Sequence, residues 1–151
     1  MGERSRNNLK HILGSKFKIA LDSAVLIYYF ENNPLYSFNL HQLFVKVENG
    51  QKVALISVVA IHEVLVKPKK TANNYLVQLY KIKLQSYPNL YIYPVTLEIA
   101  DKAAGLRAKY SFLRAPDAFQ LATAIEMKAE VFLTADKRLK QIKEIEVIIL
   151  E

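Results

Sequence analysis

The sequence contains no cysteine and no long uninterrupted hydrophobic run. Without cysteine the chain has no disulfide bonds, no zinc–thiolate site and no cysteine nucleophile, a composition that suits a reducing cytoplasm. No apolar segment approaches the roughly 18–20 residues that a membrane-spanning helix requires. The polar segment after Met1 is unlike a signal peptide. These absences predict a cytoplasmic protein with no membrane partner.

Glycine is also scarce, at four residues in 151. The glycines do not form the loop that cradles phosphates in nucleotide-binding proteins, and no GxSxG motif marks a serine nucleophile. His11 and His41 show no ligand spacing with other residues, which argues against a histidine–zinc site. Nucleotide-binding, serine-hydrolase and zinc-hydrolase chemistry therefore lack their sequence signatures.

Acidic residues are fewer than basic ones, 14 against 21, which gives a net charge of +7. A basic surface attracts polyanions such as RNA or DNA. The alternative is a protein that is cationic without a nucleic-acid partner. Hydrophobic content of 52% and charged content of 23% are typical of one globular domain.

Apolar runs alternate with helical patterns after a polar, basic beginning. We predict an N-terminal arm over residues 1–16 and a folded domain over residues 17–151. The predicted strands are Phe17–Leu21, Val53–Ile56, Leu90–Tyr93, Val131–Thr134 and Val147–Leu150. The predicted helices are Ser23–Phe30, Leu35–Glu48, Ser57–Val66, Thr71–Ser86, Leu97–Tyr110 and Asp117–Lys128, with Pro68 as a helix stop and a short turn at Lys137–Gln141. This alternation predicts an α/β fold whose central, mainly parallel sheet of about five strands is flanked by helices.

Four acids lie where an apolar segment ends or within a helix that begins after one: Asp22, Glu63, Asp117 and Asp136. Two of them end the predicted strands FKIALD and VFLTAD, and two lie on the predicted helices of SVVAIHEVLV and APDAFQLATAI. Sites in open parallel sheets form beyond the carboxyl ends of strands. Burying unpaired carboxylates is costly, and a shared cation removes that cost. Hard oxygen ligands suit Mg²⁺ or Mn²⁺, so we expect a metal-dependent hydrolase.

The segments LDSAVLIYYF, SVVAIHEVLV, APDAFQLATAI and FLTADKRL, in this order, resemble the four motifs of the PIN-domain ribonucleases. Within that family the chain is similar to the compact VapC-like toxins of type II toxin–antitoxin pairs, over about residues 17–150. The resemblance implies a PIN-like domain with Mg²⁺ or Mn²⁺ bound by the four acids, and an RNA substrate. It also implies a small cognate antitoxin and a homodimer.

The resemblance further implies hydroxyl groups beside the acids at Ser23 and Thr134. These hydroxyls either orient the carboxylates or satisfy nearby backbone groups. Arg114, Lys137 and Arg138 are expected to contact RNA phosphates at the rim of the site, the alternative being solvated loops. Two other functions stay open: a noncatalytic RNA-binding PIN domain, and a structural or interaction protein whose acids cap helices.

Overall fold

A computed structural model describes residues 13–150. Its five strands are β1 (Lys18–Leu21), β2 (Val53–Ser57), β3 (Leu90–Tyr93), β4 (Val131–Thr134) and β5 (Glu146–Ile149). The helices among these residues include α1 (Ser23–Phe30), α2 (Ser37–Glu48), α3 (Val58–Lys70), α4 (Asn74–Ser86), α5 (Leu97–Lys109) and α6 (Ala115–Glu126), followed by a 3₁₀ helix at Lys137–Gln141. The predicted α/β class is confirmed. Within the described part of the chain, every helix is too short or too polar to cross a membrane.

All five strands are parallel and lie in the order β3-β2-β1-β4-β5. The chain first builds outward from β1 to β2 and β3, then returns to the other side of β1 as β4 and β5. The direction of building therefore reverses between β1 and β4, and ligands bind outside the carboxyl ends of strands at such a point. Asp22 directly follows β1, and its backbone N–H donates to the Leu133 carbonyl of β4 at 2.9 Å.

Two hydrophobic cores lie on opposite faces of the sheet. Alternate residues of β1 enter different cores, with Ile19 and Leu21 in one and Ala20 in the other, because successive strand side chains point to opposite faces. The first core includes buried residues of α1, α2, α3 and α4, and the second those of α5, α6 and the 3₁₀ helix. Burial on both faces explains the consecutive apolar residues of the strands.

The prediction that Pro68 stops its helix is wrong. Helix α3 runs through Pro68 to Lys70, and the buried proline sits in its last turns. The helix ends where Ala72 adopts a φ of 52° and the Asn73 N–H donates to the Pro68 carbonyl at 2.9 Å. The predicted start of the next helix at Thr71 is also too early, because the Asn73 side chain caps α4 by accepting from the Leu76 N–H.

The N-terminal arm can be assessed only from residue 13 onward, since residues 1–12 lie outside the described residues. Leu13 is buried in the first core, and the Lys52 ammonium donates to the carbonyls of Leu13 and Lys16. Burial lowers the pKa of Lys52. The end of the arm is thus attached to the domain, and the boundary at residue 17 stays a prediction.

Candidate active site

Asp22 occupies the position that joins β1 to α1, and its side chain is only 5% exposed. Its Oδ2 accepts a hydrogen bond from the Thr134 hydroxyl at 2.6 Å, and its Oδ1 lies 3.3 Å from the Ser23 hydroxyl. Both neighbours are uncharged. The carboxylate is therefore buried with hydrogen-bond donors but no ion pair within the part of the chain that the structure describes.

The burial of Asp22 raises its pKa to about 6, well above the ordinary value for aspartate. Removal from water is the main cause, and the negative charges of Asp117 and Glu63 add to it. The hydrogen bond from Thr134 acts in the opposite direction and stabilises the ionised form. Three of the predicted acids are thus close enough to influence one another.

Glu63 lies on α3 and reaches toward the start of α1. Its Oε1 accepts from the Ser23 hydroxyl at 3.0 Å and from the Gln120 amide at 2.6 Å. Ser23 has one hydroxyl hydrogen to share between Glu63 and Asp22, and the Glu63 contact is the shorter. Ser23 therefore links the two carboxylates.

Asp117 lies in the first turn of α6, where the helix dipole favours negative charge. Its side chain is 8% exposed, and its Oδ2 accepts from the Arg114 guanidinium at 3.2 Å. Burial raises the pKa of Asp117, Arg114 lowers it, and the charges of Glu63 and Asp136 raise it. The net direction is upward despite the ion pair.

Asp136 follows β4 and is the most exposed of the three aspartates. Both of its oxygens accept from the Arg138 guanidinium, at 3.1 Å and 2.7 Å, in a two-point contact. This hydrogen bonding holds the pKa of Asp136 below its ordinary value. The Asp136 N–H also donates to the Thr134 hydroxyl at 3.1 Å, so Thr134 connects the backbone of Asp136 with the carboxylate of Asp22.

The predicted phosphate-contacting residues lie at the rim of this site. Arg114 and Arg138 are about half exposed or more, and each is paired with an acid of the site. Lys137 is exposed at the first position of the 3₁₀ helix. The sequence suggested phosphate contacts or solvated loops for the two arginines, and the structure adds a third role as counter-ions of Asp117 and Asp136.

Helix capping explains only part of the acid arrangement. The Asp22 side chain makes no capping hydrogen bond to α1, and the N-cap position of α6 is occupied by Arg114, ahead of Asp117. Asp136 does cap, because its Oδ1 accepts from the Arg138 N–H at 3.0 Å. The capping alternative therefore accounts for Asp136 and leaves the buried position of Asp22 unexplained.

Comparison with known proteins agrees with this architecture. A family model for the PIN domain matches residues 19–145. The chain belongs to the PIN domain family. A search of functionally curated proteins found no significant match.

Two solved structures share the PIN fold seen here. A toxin–antitoxin complex from Klebsiella pneumoniae gives a TM-score of 0.66 at 24% identity, covering 88% of this chain and 98% of that one. VapBC2 from Rickettsia felis, bound to a DNA fragment from its promoter, gives a TM-score of 0.70 at 17% identity with the same coverage. At these identities the similarity concerns the fold.

Divalent metals are general cofactors of PIN domains, and the donors present here fit such an ion by their chemistry. The site offers hard carboxylate oxygens in a buried setting where their charges repel one another. Between residues 13 and 150, however, no three His, Cys, Asp or Glu side chains are close enough together to hold a metal ion. The arginines on Asp117 and Asp136 place two positive charges at this PIN site.

Gln120 is a site residue that the sequence interpretation missed. It is 2% exposed on α6, and its amide contacts Ser23, Glu63 and the Pro116 carbonyl. A signal was present, because Gln120 is a polar residue within the largely apolar segment AFQLA, three positions after Asp117 and so on the same face of the helix. Its partners could not be read from the sequence, since Ser23 lies 97 residues away.

A groove of about 480 Å³ opens beside Glu63. Its walls come from α1, α3 and α4, and its lining is mainly apolar. Phe30 and Tyr80 stack at 4.5 Å between ring centres along it, and Lys67 bonds Glu31 at 2.9 Å. Of the four acids of the PIN site, Glu63 lines this groove, whereas the arginine-paired Asp117 and Asp136 do not.

Proposed function

We propose that this PIN-domain protein is a metal-dependent endoribonuclease and acts as the VapC-like toxin of a toxin–antitoxin pair. Membership of a family that consists typically of nucleases supports the reaction, and the basic surface supports an RNA substrate. The toxin role draws on the fold shared with proteins described as toxin–antitoxin complexes.

One observation carries the proposal: the Asp22 carboxylate is buried beside Glu63 and Asp117 without a cation of its own. A structural carboxylate in such a place costs stability, because desolvation and like charges both oppose its ionised form. A divalent ion reverses that cost. The arrangement makes physical sense for a site that functions with a bound cation.

The chain's own residues have separable roles in this proposal. Asp22, Glu63, Asp117 and Asp136 would hold Mg²⁺ or Mn²⁺ once the arginines leave Asp117 and Asp136 and the four carboxylates draw closer together around the ion. Ser23 and Thr134 would orient the carboxylates. The bound ion supplies water activation and neutralisation of phosphate charge. Arg114 and Arg138 exchange their carboxylate partners for RNA phosphates, and Lys137 provides a further phosphate contact. Hydrolysis with departure of the 3′ oxygen leaves 3′-hydroxyl and 5′-phosphate ends, as the family implies.

The test is cleavage of end-labelled total RNA by the purified protein with manganese or with chelator. We expect manganese-dependent internal cleavage with 5′-phosphate ends, and no cleavage by Asp22→Asn. Binding of RNA without cleavage at any metal concentration would favour the noncatalytic RNA-binding alternative. Neither binding nor cleavage, together with no metal binding, would favour the structural alternative.

The proposed antitoxin binds the groove beside Glu63, where it blocks access to the acids. The groove joins an apolar wall to the acidic site, which suits a peptide with an apolar segment and a neighbouring basic side chain. The proposed homodimer places one such groove on each subunit. Co-purification from the native host, followed by mass measurement of the intact complex, tests both points, and an uncomplexed monomer would contradict them.

A further inference from the structure

Gln120 contacts one site acid directly and the sequence neighbours of two others. Its Oε1 accepts from the N–H of Ser23, next to Asp22, at 2.9 Å. Its Nε2 donates to Glu63 itself at 2.6 Å and to the carbonyl of Pro116, next to Asp117, at 3.2 Å. One uncharged side chain therefore connects the segments that carry the acids.

The orientation of the Gln120 amide is fixed by backbone groups. The Ser23 N–H can only donate, so it must face the amide oxygen, and the Pro116 carbonyl can only accept, so it must face the amide nitrogen. Both hydrogens of the nitrogen are then used, one by Pro116 and one by Glu63. A donor thus faces Glu63 in the only arrangement that satisfies all three partners.

The same contacts leave Asp22 available to the site. The first N–H groups of a helix lack partners within the helix, and an aspartate at the N-cap usually accepts from one of them. Here Gln120 accepts from Ser23 at the start of α1, while the Asp22 side chain makes no capping bond and accepts from Thr134 instead. The amide therefore supports α1 without using the carboxylate.

We infer that Gln120 is a positioning residue, which holds Glu63 in register with Asp22 and Asp117 by joining α1, α3 and α6. This inference rests on the proposed function. An uncharged donor suits the task because it fixes a carboxylate oxygen without supplying the positive charge that a bound cation brings. Partners of this kind typically change metal affinity or activity by about 10–100-fold when they are removed.

The experiment compares Gln120→Met and Gln120→Glu with the same two changes at Gln85, an exposed residue of α4. Met removes all three hydrogen bonds at similar volume. Glu keeps the acceptor for Ser23 but repels Glu63 and adds a negative charge. Melting in chelator first establishes that each variant is folded. Manganese binding is then measured without RNA from the electron paramagnetic resonance signal of the free ion, and kcat and KM are measured at saturating manganese.

We expect kcat to fall about 10–100-fold in both Gln120 variants with KM for RNA unchanged, and no change in the Gln85 variants. Manganese affinity should fall in Gln120→Met and be higher in Gln120→Glu than in Gln120→Met, because the added carboxylate attracts the ion. Loss of kcat in both, although only Gln120→Glu changes the charge of the site, distinguishes positioning from electrostatics. A purely structural role would lower the melting temperature and leave kcat unchanged.

Wild-type kcat in folded Gln120→Met and Gln120→Glu would overturn the inference and leave the proposed function intact. If Gln120→Met does not fold, Gln120→Glu decides, because it retains the bond to Ser23. A wild-type protein that neither binds manganese nor cleaves RNA would overturn the proposed function and this inference together.

Discussion

The four acids of the site divide into two pairs that the protein treats differently. Among residues 13–150, the hydrogen-bond donors to Asp22 and Glu63 are uncharged, namely two hydroxyl groups and the Gln120 amide. Asp117 and Asp136 each accept from an arginine. Among the described residues, Asp22, which is buried, and Glu63, which is half-buried, have no positively charged partner. Each carboxylate of the second pair is paired with an arginine, although Asp117 is itself buried.

This difference distinguishes the carboxylates of Asp22 and Glu63, whose charge a cation would balance, from those of Asp117 and Asp136, where an arginine can be displaced. The arginines are 64% and 54% exposed at their side chains, so they can leave the acids at little desolvation cost. The uncharged donors around Asp22 and Glu63 are largely buried and stay in place. In the proposed function a metal ion takes the place of the arginines on Asp117 and Asp136, and RNA phosphates take the place of these carboxylates on the arginines, while the uncharged donors of Asp22 and Glu63 keep their contacts.

The largest expected effect is the loss of cleavage in Asp22→Asn. The change removes the negative charge of the buried Asp22 while keeping the side chain's shape, so RNA cleavage should fall by at least about 100-fold. RNA affinity should remain, because it comes mainly from lysine and arginine contacts. Cleavage and filter binding are measured on the same preparations, with Asp101→Asn on exposed α5 as the matched control. Full activity of Asp22→Asn would exclude Asp22 from the site.

The two pairs should also differ in stability without metal. At pH 7 in chelator, Asp22→Asn should be more stable than wild type by roughly 1–3 kcal/mol, since it removes a buried charge whose pKa is raised to about 6. Asp117→Asn should gain less, because it also loses the contact with Arg114. Urea denaturation of the three proteins measures these differences. A destabilised Asp22→Asn would mean that the carboxylate is structural.

The same buried charge predicts how metal-free stability changes with pH. Asp22 has a folded pKa of about 6 and an ordinary value near 4 when unfolded, so between these values the native state binds more protons. Stability should therefore fall as pH rises from about 4 to about 6, with the loss complete above that. The lowered pKa of Asp136 has the opposite effect at pH values below this window, where the stability decreases as the pH falls.

Denaturation in chelator at intervals from pH 4 to 7 checks this slope. The difference between wild type and Asp22→Asn isolates the contribution of Asp22 from that of other groups. The raised pKa of Asp117 should leave a smaller decline of the same sign in the variant. Parallel curves for the two proteins would show that Asp22 does not titrate in this range.

The sequence was a good guide to the segments and a poor one to the side-chain contacts between them. The strand ends before Asp22 and Asp136 followed from apolar runs that stop at an acid, and the side chains of Ser57 and Thr96 cap the helices that the sequence placed after them. Pro68 was a wrong signal for the helix end, because the destabilisation by a proline is confined to the residues around it. The helix end is set by Ala72 and Asn73 instead. The pairing of Gln120 with Ser23 depends on how α6 packs against α1, which no local pattern encodes.

The smallest expected effect concerns the arginine-paired side of the site. If Arg114 or Lys137 contacts an RNA phosphate, its replacement by Ala should reduce the slope of log affinity against log salt by up to about one unit, because one fewer counterion is released. Arg114→Ala should in addition bind manganese more tightly, since Asp117 loses a competing positive charge, whereas Lys137→Ala should not. Binding of RNA in chelator across a salt series, with Lys83→Ala on α4 as control, measures the slope. Unchanged slopes in both variants would place the RNA path elsewhere on the basic surface and leave the arginines as counter-ions alone.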